Sequence, residues 1–471
     1  TVVENPTISS IEIIGNSAVS TDVIKTNLSS KIDTIFDVTS FRKDITTIKN
    51  LYSNKGFIFT KIKNKQPTNE DPSLKFYITE GKYDQISVSG NTKTKSDIIT
   101  REMMTKKGDI VNQNELRTDL QRIYNLNFFS DITTDIQKSE SNKDQYDLQI
   151  NVKEKSTDSI NVGGGWGQQG GGFFSADLNI NNLFGEAKAT TLRGQWGSRA
   201  TTYQFKYSDP WFFGERKSMT FKAWNTSGRY GFNNLMSATR FRPERRAGTS
   251  ISIGLPHNYN LRSYHKVEIE GIEVDEVDSI PAYNYSRQLY KYMITYDTRD
   301  IVFNPLNGVY YVLSIEQGFK LKQNSFKYTK LEASISHFFQ TLENQTIATR
   351  INAGKLFGEK LPSNQLVYSE YYFVGGPNTV RGYPEYPDSF ANGLAQLLSN
   401  VEYRFLLSDI FQFILFIDYG WASSLGNGVF SGKIGKGFGF RINSPLGPIR
   451  IDYGINEEGD GRTHINIGHI F

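Results

Sequence analysis

The 471-residue chain contains no cysteine, so neither a disulfide framework nor a thiolate metal site is available to it. It has no apolar run of about 18 residues, which excludes a membrane-spanning helix. It also lacks a strong charge bias, because 53 Lys and Arg residues nearly balance 49 Asp and Glu residues. No basic block stands out, and we therefore expect no nucleic-acid partner.

Residue patterns typical of catalysis are also missing. The five histidines show no metal-ligand spacing such as H-E-x-x-H, and neither a G-x-S-x-G elbow nor a phosphate-binding loop is present. We therefore predict a chain that is not an enzyme, binds no metal and needs no cofactor. The first residues, Thr1 to Pro6, carry no charged-then-apolar leader, which indicates a mature or trimmed chain rather than a cytosolic protein.

Aromatic residues and glycine are abundant in a chain that is polar on average. The sequence has 32 Phe, 26 Tyr and 41 Gly, and its mean hydropathy is −0.46. This balance is typical of a transmembrane β-barrel. Alternation of polar and apolar residues begins only after about residue 156, whereas the residues before it show helical periodicity between short strands. We place a domain boundary near Ser156.

The first third of the chain contains an internal repeat. Ile11 to Asn16 (I-E-I-I-G-N) is matched by Ile86 to Asn91 (I-S-V-S-G-N), and each is followed by a polar turn and a helix-like stretch. A second helix, a phenylalanine-bearing strand (Gly56 to Phe59 in the first copy) and a closing alternating strand follow in both copies. This order resembles tandem POTRA domains, which we assign to residues 1–81 and 82–155. Two unrelated small α+β domains are the alternative.

Residues 156–471 contain sixteen segments of alternating polar and apolar residues separated by turn residues. An even number suits a closed antiparallel barrel with both chain ends on one side. The predicted strands are 159–166, 172–180, 187–196, 201–208, 217–225, 248–255, 261–274, 287–297, 308–319, 326–339, 346–356, 393–405, 411–421, 432–443, 447–454 and 463–471.

A soluble β-protein is the alternative for this region. It would have to bury one face of every hairpin in a very large sandwich or propeller, and no blade repeat is visible. Lipid-facing alternation is therefore favoured. The predicted fold class is α+β tandem POTRA-like domains followed by a 16-stranded antiparallel transmembrane β-barrel.

A glycine-rich loop interrupts the strand pattern. Phe373 to Tyr383 reads F-V-G-G-P-N-T-V-R-G-Y, in which Gly375 and Gly376 permit tight turns and Pro377 stiffens the entry. The loop presents Arg381 as a tethered cation, which suits a polar interior. An ordinary hairpin loop remains the alternative from this stretch alone.

Four ordered motifs resemble the surface-antigen barrel of the BamA/TamA superfamily. Together with the two POTRA-like repeats, the resemblance covers essentially the whole chain. It implies that the loop at about 357–392, with its motif Val380, Arg381, Gly382 and Tyr383, follows the eleventh strand and folds back into the barrel. The motifs are this loop, the strand Leu415 to Gly420 (L-F-I-D-Y-G), the run Gly437 to Arg450 and the ending Ile465 to Phe471 (I-N-I-G-H-I-F).

The resemblance also implies partners for the loop arginine. The matching acidic positions on the next two strands are Glu402 and Asp418, and we expect Arg381 to fork onto both, since a guanidinium in a water-limited lumen should be paired. Asp418 shares its strand parity with Ile414 and Phe416, so alternation alone does not establish that it faces inward. A glycosidase role for the two carboxylates is disfavoured, because an arginine partner would keep both ionised and leave no general acid.

The seam between the first and last barrel strands is the second candidate site. Glycine weakens strand pairing, and in the resembled family this seam is a lateral gate where the first strand pairs with a client strand. In the last strand, Ile465, Ile467 and the terminal Phe471 share one parity, and the terminal aromatic resembles the β-signal of outer-membrane barrels. The alternative is that the glycines only relieve curvature or crowding at closure. The first strand contributes Val162, Gly163, Gly164 and Gly165.

These features predict a protein of the bacterial outer membrane with its POTRA-like domains in the periplasm. The expected function is assembly of outer-membrane proteins, with unfolded barrel proteins as clients, accessory lipoproteins or chaperones at the POTRA-like domains, and contact with outer-membrane lipid. Two-partner secretion or TamA-like translocation is the alternative, and a passive pore would leave the repeat unexplained. Family members commonly carry more than two POTRA domains, so the chain is expected to be either trimmed or a short natural member.

Overall fold

A computed structural model describes residues 5–142, 144–167, 171–197, 200–233, 239–276, 282–301, 304–358, 370–385, 391–408, 410–423, 432–442 and 449–467. The chain forms two compact units. One contains residues 1–157 together with 181–188, and the other contains residues 158–180 and 189–471. No helix within the described ranges is long and apolar enough to cross a membrane.

The first unit begins with the two predicted α+β repeats, and each has the same element order and sheet. In each copy the first strand runs parallel to the last, which occupies the centre of a three-stranded sheet. The first copy consists of β1 (Ser10–Ile14), α1 (Thr21–Asn27), α2 (Val38–Asn54), β2 (Thr60–Lys65) and β3 (Ser73–Glu80). The second consists of β4 (Lys82–Ser89), α3 (Ser96–Thr100), α4 (Gln113–Asn125), β5 (Phe129–Lys138) and β6 (Gln145–Glu154).

One predicted strand in the first repeat is wrong. Gly56–Phe59 does not pair in the sheet, because Gly56 adopts φ +90° at the end of α2 and the ladder begins only at Thr60. Phe57 and the buried Tyr52 instead make an edge-on ring contact with centroids 6.1 Å apart. The aromatic residue therefore closes the helix end over the core rather than extending the sheet.

Each repeat has its own apolar core under the long second helix. Asp37 and Asn112 start these helices by accepting hydrogen bonds from the first helical amides, which otherwise have no partner. The buried face of α2 carries Phe41, Ile48 and Tyr52 against the sheet, and α4 repeats this arrangement with a separate cluster. Two cores of this size explain why the repeat unit is about 75 residues long.

A carboxylate at the end of the last strand closes both repeats in the same way. Glu80, the last residue of β3, accepts hydrogen bonds from the amides of Ser17 and Ala18 at 2.7 and 2.9 Å. Glu154, the last residue of β6, accepts from the amides of Lys93 and Thr94 at 2.9 and 2.7 Å. The loop after the first strand of each repeat is thereby tied to the end of its last strand.

The electrostatics of this clasp keep the carboxylates ionised. Partial burial of Glu154 disfavours its charged form, but hydrogen bonds from Thr92, Lys93 and Thr94 outweigh that effect and lower its pKa to about 2. The pKa of Glu80 is lowered as well, because donors from Ser17, Ala18 and Tyr52 outweigh its desolvation. The clasps therefore persist at any pH above the usual range of a carboxyl group.

The second unit is built on one sixteen-stranded antiparallel sheet with neighbours in chain order, and the predicted fold class is confirmed. Each of the sixteen predicted segments overlaps one observed strand. The strands are β7 (Ser159–Gly167), β8 (Gly171–Leu183), β9 (Lys188–Gly197), β10 (Ala200–Asp209), β11 (Ser218–Asn233), β12 (Thr239–Pro256), β13 (Leu261–Val274), β14 (Tyr283–Asp297), β15 (Gly308–Phe319), β16 (Tyr328–Leu342), β17 (Gln345–Gly358), β20 (Ala395–Leu406), β21 (Phe411–Ser423), β22 (Lys433–Ile442), β23 (Ile449–Ile455) and β24 (Gly461–Ile467). Between β17 and β20, β18 (Tyr372–Val374) and β19 (Ala391–Gly393) form a separate two-stranded sheet.

Side chains along the barrel strands alternate between exposed apolar and buried polar positions. On β13, Val267 and Ile269 are about half exposed, whereas Glu268 and Glu270 are buried. The buried carboxylates are neutralised by Arg287 of β14, whose Nη2 lies 2.9 Å from an oxygen of each. Apolar residues outside and paired charges inside are the pattern of a barrel wall that faces lipid.

The turn that joins β8 to β9 belongs to the first compact unit. The carbonyl of Gly185 accepts a hydrogen bond from the amide of Lys95 at 3.1 Å, and the buried Asn182 donates to the hydroxyl of Thr94 at 2.7 Å. Ala187 joins the apolar core of the second repeat. The turn therefore packs on the loop that Glu154 clasps.

Candidate functional site

The loop that follows β17 enters the site through the small β18–β19 sheet. Beyond it, Gly375 and Gly376 adopt φ values of +139° and +102°, which only glycine takes readily. The amide of Gly376 donates to the carbonyl of Val380 at 3.1 Å, and the amide of Gly375 donates to the hydroxyl of Thr379 at 2.8 Å. These bonds reverse the chain and direct the following residue, Arg381, into the wall of the sheet.

Arg381 is fully buried and lies between two carboxylates. Its Nε and Nη2 donate to the two oxygens of Asp418 at 2.7 and 2.8 Å, and its backbone amide donates to the same carboxylate at 3.1 Å. Its Nη1 donates to Glu402 at 2.8 Å. The structure therefore brings together the three residues that the resemblance paired, with a bidentate fork on Asp418 and a single bond to Glu402.

Glu402 is shared with two further arginines that motif reasoning missed. Its Oε2 accepts from Arg404 Nε at 2.9 Å, and its Oε1 accepts from Arg441 Nη2 at 3.2 Å. Arg441 in turn donates to Asp452 at 2.5 Å, and Asp452 lies 3.6 Å from Arg381 Nη1. The charges form one buried network across β20, β21, β22 and β23. The signal was present in the sequence as charged residues recurring at every second position of apolar strands.

The burial of its neighbours on β21 shows that the Asp418 side chain lies on the inner face of the sheet. Ile414, Phe416 and Asp418 are all buried, whereas Leu415 and Ile417 on the opposite face are exposed. The inner face of β21 is thus partly apolar because the folded-in loop covers it. The Arg381 guanidinium lies 3.5 Å from the centre of the Phe416 ring, a cation–π contact in a desolvated site.

Glycines on three adjacent strands make room for the loop. A Cβ at Gly420 would overlap the Val380 side chain, and a Cβ at Gly435 would overlap the carbonyl oxygen of Arg381. A Cβ at Gly454 would overlap the backbone of the residue after the arginine. The loop backbone therefore lies directly on the sheet. Glycine is required at these positions because a side chain would collide with the loop, not because the backbone adopts a φ value that only glycine takes readily.

The remaining motif residues anchor the same loop. Val380 and Tyr383 are buried and pack with Val374 and Leu398 in a small apolar cluster. The Tyr383 hydroxyl accepts a hydrogen bond from the amide of Glu457 at 3.1 Å. Within the described part of the chain, no group of three or more His, Asp or Glu side chains is arranged to hold a metal ion. Each carboxylate of the network, Glu402, Asp418 and Asp452, pairs with at least one arginine.

The predicted gate residues lie on β7 and β24, the two strands that end the order of the described sheet. Val162, Gly163, Gly164 and Gly165 belong to β7 and pair with β8, and the Val162 side chain is 60% exposed. Ile465 of β24 is 57% exposed, and Ile467 pairs with the first residue of β23. Phe471 lies outside the described residues. The arginine network therefore does not include the named gate residues.

Comparison with known proteins assigns the family. The Omp85 superfamily domain matches residues 182–471, and the surface antigen variable number repeat, or POTRA, matches residues 6–81 and 82–155. Outer membrane protein assembly factor BamA from Nitratidesulfovibrio vulgaris is 22% identical over 95% of this chain and 59% of its own length. Outer envelope protein 80 of the chloroplast from Oryza sativa is 24% identical over 80% of this chain and 60% of its own length.

Two solved structures share the fold. BamA from Haemophilus ducreyi lacking POTRA domains 1–3 superposes with a TM-score of 0.65 at 17% identity, and the alignment covers 98% of both chains. CdiB from Escherichia coli superposes with a TM-score of 0.63 at 13% identity, covering 100% of this chain and 89% of CdiB. The chain spans between 24% and 63% of the length of seven curated relatives that it matches.

These matches agree with the architecture and with the location that it requires. Apolar residues outside a sixteen-stranded antiparallel sheet fit the bacterial outer membrane, and the POTRA domains of such proteins are periplasmic. The relatives from Neisseria meningitidis and Nitratidesulfovibrio vulgaris are named outer membrane protein assembly factors. The chain is therefore a member of the Omp85 superfamily, with two POTRA domains followed by a sixteen-stranded outer-membrane barrel.

Proposed function

We propose that this chain is an outer-membrane protein assembly factor. It receives unfolded barrel proteins at its POTRA domains and folds and inserts them through a lateral gate between β7 and β24. Relatives named as BamA align with up to 95% of the chain, which supports this assignment over other functions of the superfamily. No energy source is required, because insertion is accelerated by templated strand pairing and local thinning of the membrane.

The glycines of β7 are the observation that carries this proposal. β7 and β24 end the order of the described sheet. In β7 three consecutive glycines, Gly163 to Gly165, lie opposite residues of β8 and offer them no side chain. Because cross-strand side-chain pairs stabilise a sheet, β7 is held weakly at the end where a client strand would add.

The arginine loop has a supporting role in this proposal. Its network joins β20, β21, β22 and β23, so that the wall next to the last strand remains rigid while the seam opens. Arg381 carries this role through Asp418 and Glu402. The role is structural and includes no chemical step.

The client path begins at the POTRA sheets. β2 and β5 are edge strands of these sheets, and an extended client segment could pair with either by strand addition. Accessory lipoproteins or chaperones would bind the helices on the other face, and lipid would contact the exposed apolar residues of the barrel. The clients are unfolded outer-membrane proteins.

A locked gate tests the proposal. We expect the double variant Val162→Cys/Ile467→Cys, once oxidised, to lose insertion of a barrel client into vesicles and to regain it after reduction. The matched control is Leu313→Cys/Ala333→Cys, which cross-links the directly paired strands β15 and β16 away from the seam. Equal activity of the oxidised seam variant and the oxidised control would contradict lateral opening.

Two-partner secretion is the second candidate, because CdiB has the same architecture. Depletion in cells separates the two candidates. General loss of outer-membrane barrels supports assembly, whereas loss of a single secreted partner with intact barrels supports transport.

A further inference from the structure

The inward-folded loop also contacts the last barrel strand. The amide of Gly382, directly after the loop arginine, donates a hydrogen bond to Nε2 of His464 at 3.1 Å. His464 lies on β24 and is only 6% exposed. Because Nε2 accepts this bond, the imidazole must be neutral and carry its proton on Nδ1. The sequence motifs of the loop and of the last strand do not include His464.

A second contact joins the same two elements. Asn378, at the tip of the loop, accepts through its side-chain oxygen from Asn466 Nδ2 at 3.4 Å. The same oxygen accepts from Arg450 Nη2 of β23 at 2.5 Å. His464 and Asn466 are two residues apart and therefore face the same side of β24. The loop thus contacts β24 at two successive inward positions.

These bonds matter because β24 ends the order of the described sheet. Its residues Gly461–Ile467 pair with β23. The loop itself is fixed independently by the Arg381 fork onto Asp418 of β21. A bond from the loop to β24 therefore ties the last strand to a rigid part of the wall three strands away.

We propose that His464 and Asn378 form a latch through which the inward-folded loop holds β24 in the closed position of the seam. His464 is a positioning residue that acts through the Gly382 amide. Moving β24 away from the loop breaks this bond and leaves a buried N–H without an acceptor, which disfavours opening. The inference rests on the proposed lateral gate and names the residues that set its resting state.

Spin labels on the two terminal strands measure the latch directly. Labels at Val162→Cys and Ile465→Cys replace exposed side chains. In the full chain reconstituted in phosphatidylethanolamine and phosphatidylglycerol vesicles, pulsed electron paramagnetic resonance gives the fraction of molecules with separated strands. We expect His464→Leu to increase that fraction about fivefold to tenfold, as expected from one unsatisfied buried donor.

Two variants separate the latch from a general packing role. His464→Gln keeps an acceptor at a similar reach, and we expect it to restore the wild-type distance distribution. Asn378→Ala removes only the side-chain acceptor at the loop tip and should increase separation to a smaller extent. Thr463→Val, on the exposed face of β24, is the matched control and should leave the distribution unchanged.

The inference is overturned if His464→Leu leaves the distance distribution unchanged, or if His464→Gln increases separation as much as His464→Leu does. If His464→Leu fails to fold, as judged by heat-modifiable migration, the Asn378→Ala distribution decides in the same way. Client insertion is measured in parallel. Greater separation in His464→Leu, with no client insertion by either the wild type or the variant, supports the latch and contradicts the assembly function. Unchanged separation, with insertion that the oxidised Val162→Cys/Ile467→Cys variant loses, contradicts the latch alone.

Discussion

Replacing Arg381 with methionine should destabilise the barrel more than any other single change in the loop. Methionine keeps an unbranched apolar stem and removes the guanidinium with its charge and its donors. Asp418 then loses both side-chain donors of the fork, and Glu402 loses one. Breaking a buried ion pair by deleting one partner costs about 3–5 kcal/mol, because the remaining charge is left uncompensated.

The structure also predicts which carboxylate is left without a cation when Arg381 is replaced. Glu402 keeps Arg404 and Arg441 within 3.2 Å, whereas Arg381 is the one cation within ion-pair distance of Asp418 among the residues that the structure describes. The double variant Arg381→Met/Asp418→Asn should therefore recover about 2 kcal/mol relative to the sum of the single variants. Arg381→Met/Glu402→Gln should recover much less.

Arginine geometry can be separated from its charge with Arg381→Lys. Lysine keeps the cation but cannot form the fork onto Asp418 while reaching Glu402, so we expect a loss of roughly 2 kcal/mol. The assay is urea-induced unfolding of the barrel in phospholipid vesicles, followed by tryptophan fluorescence. Stability of Arg381→Met within about 0.5 kcal/mol of wild type would refute the reasoning, since that is the range of ordinary surface substitutions. Equal recovery with Asp418→Asn and Glu402→Gln would refute the assigned distribution of charge.

Two glycine substitutions test close approach, each against a matched control. Gly435→Ala should displace the loop and cost about 2–3 kcal/mol in the same urea assay, because its Cβ would overlap a loop carbonyl oxygen, whereas Gly271→Ala meets no atom closer than 3.9 Å and should be nearly neutral. Gly185→Ala and Gly214→Ala both place alanine at φ +73°, costing about 1–2 kcal/mol each, but only Gly185 faces the Lys93 carbonyl. Only Gly185→Ala should therefore accelerate hydrogen exchange of residues 91–95, and equal exchange in the two variants would contradict docking of the β8–β9 turn.

The strands of the barrel could be located from sequence because their side chains have an exact period of two. Polar and apolar alternation fixes both the strand and its lipid-facing side wherever the inner face is polar. The prediction of a strand at Gly56–Phe59 was wrong because the residue pattern does not reveal the backbone conformation of Gly56. Two phenylalanines near a glycine look like a strand, but the positive φ of Gly56 turns the chain over the core of its own repeat.

The site was only partly visible in the sequence. Arg381, Glu402 and Asp418 were named through a resemblance, and their geometry follows from the fold. Alternation could not assign Asp418 to the inner face, because the inner face of β21 is apolar where the loop covers it. Where the loop covers the inner face of a strand, the residues on that face can be apolar, whereas residues that face a water-filled lumen are polar.

The amino-acid sequence by itself determined the two repeats, the number of strands and the position of the loop, because each is encoded by local periodicity or by glycine and proline at turns. Only the tertiary structure decided which charges meet. Arg404, Arg441 and Asp452 join the network, and His464 meets Gly382, because the register of adjacent strands and the path of the folded-in loop bring these residues together. The pairing of buried charges depends on distances of a few ångströms between such strands, and no local pattern records them.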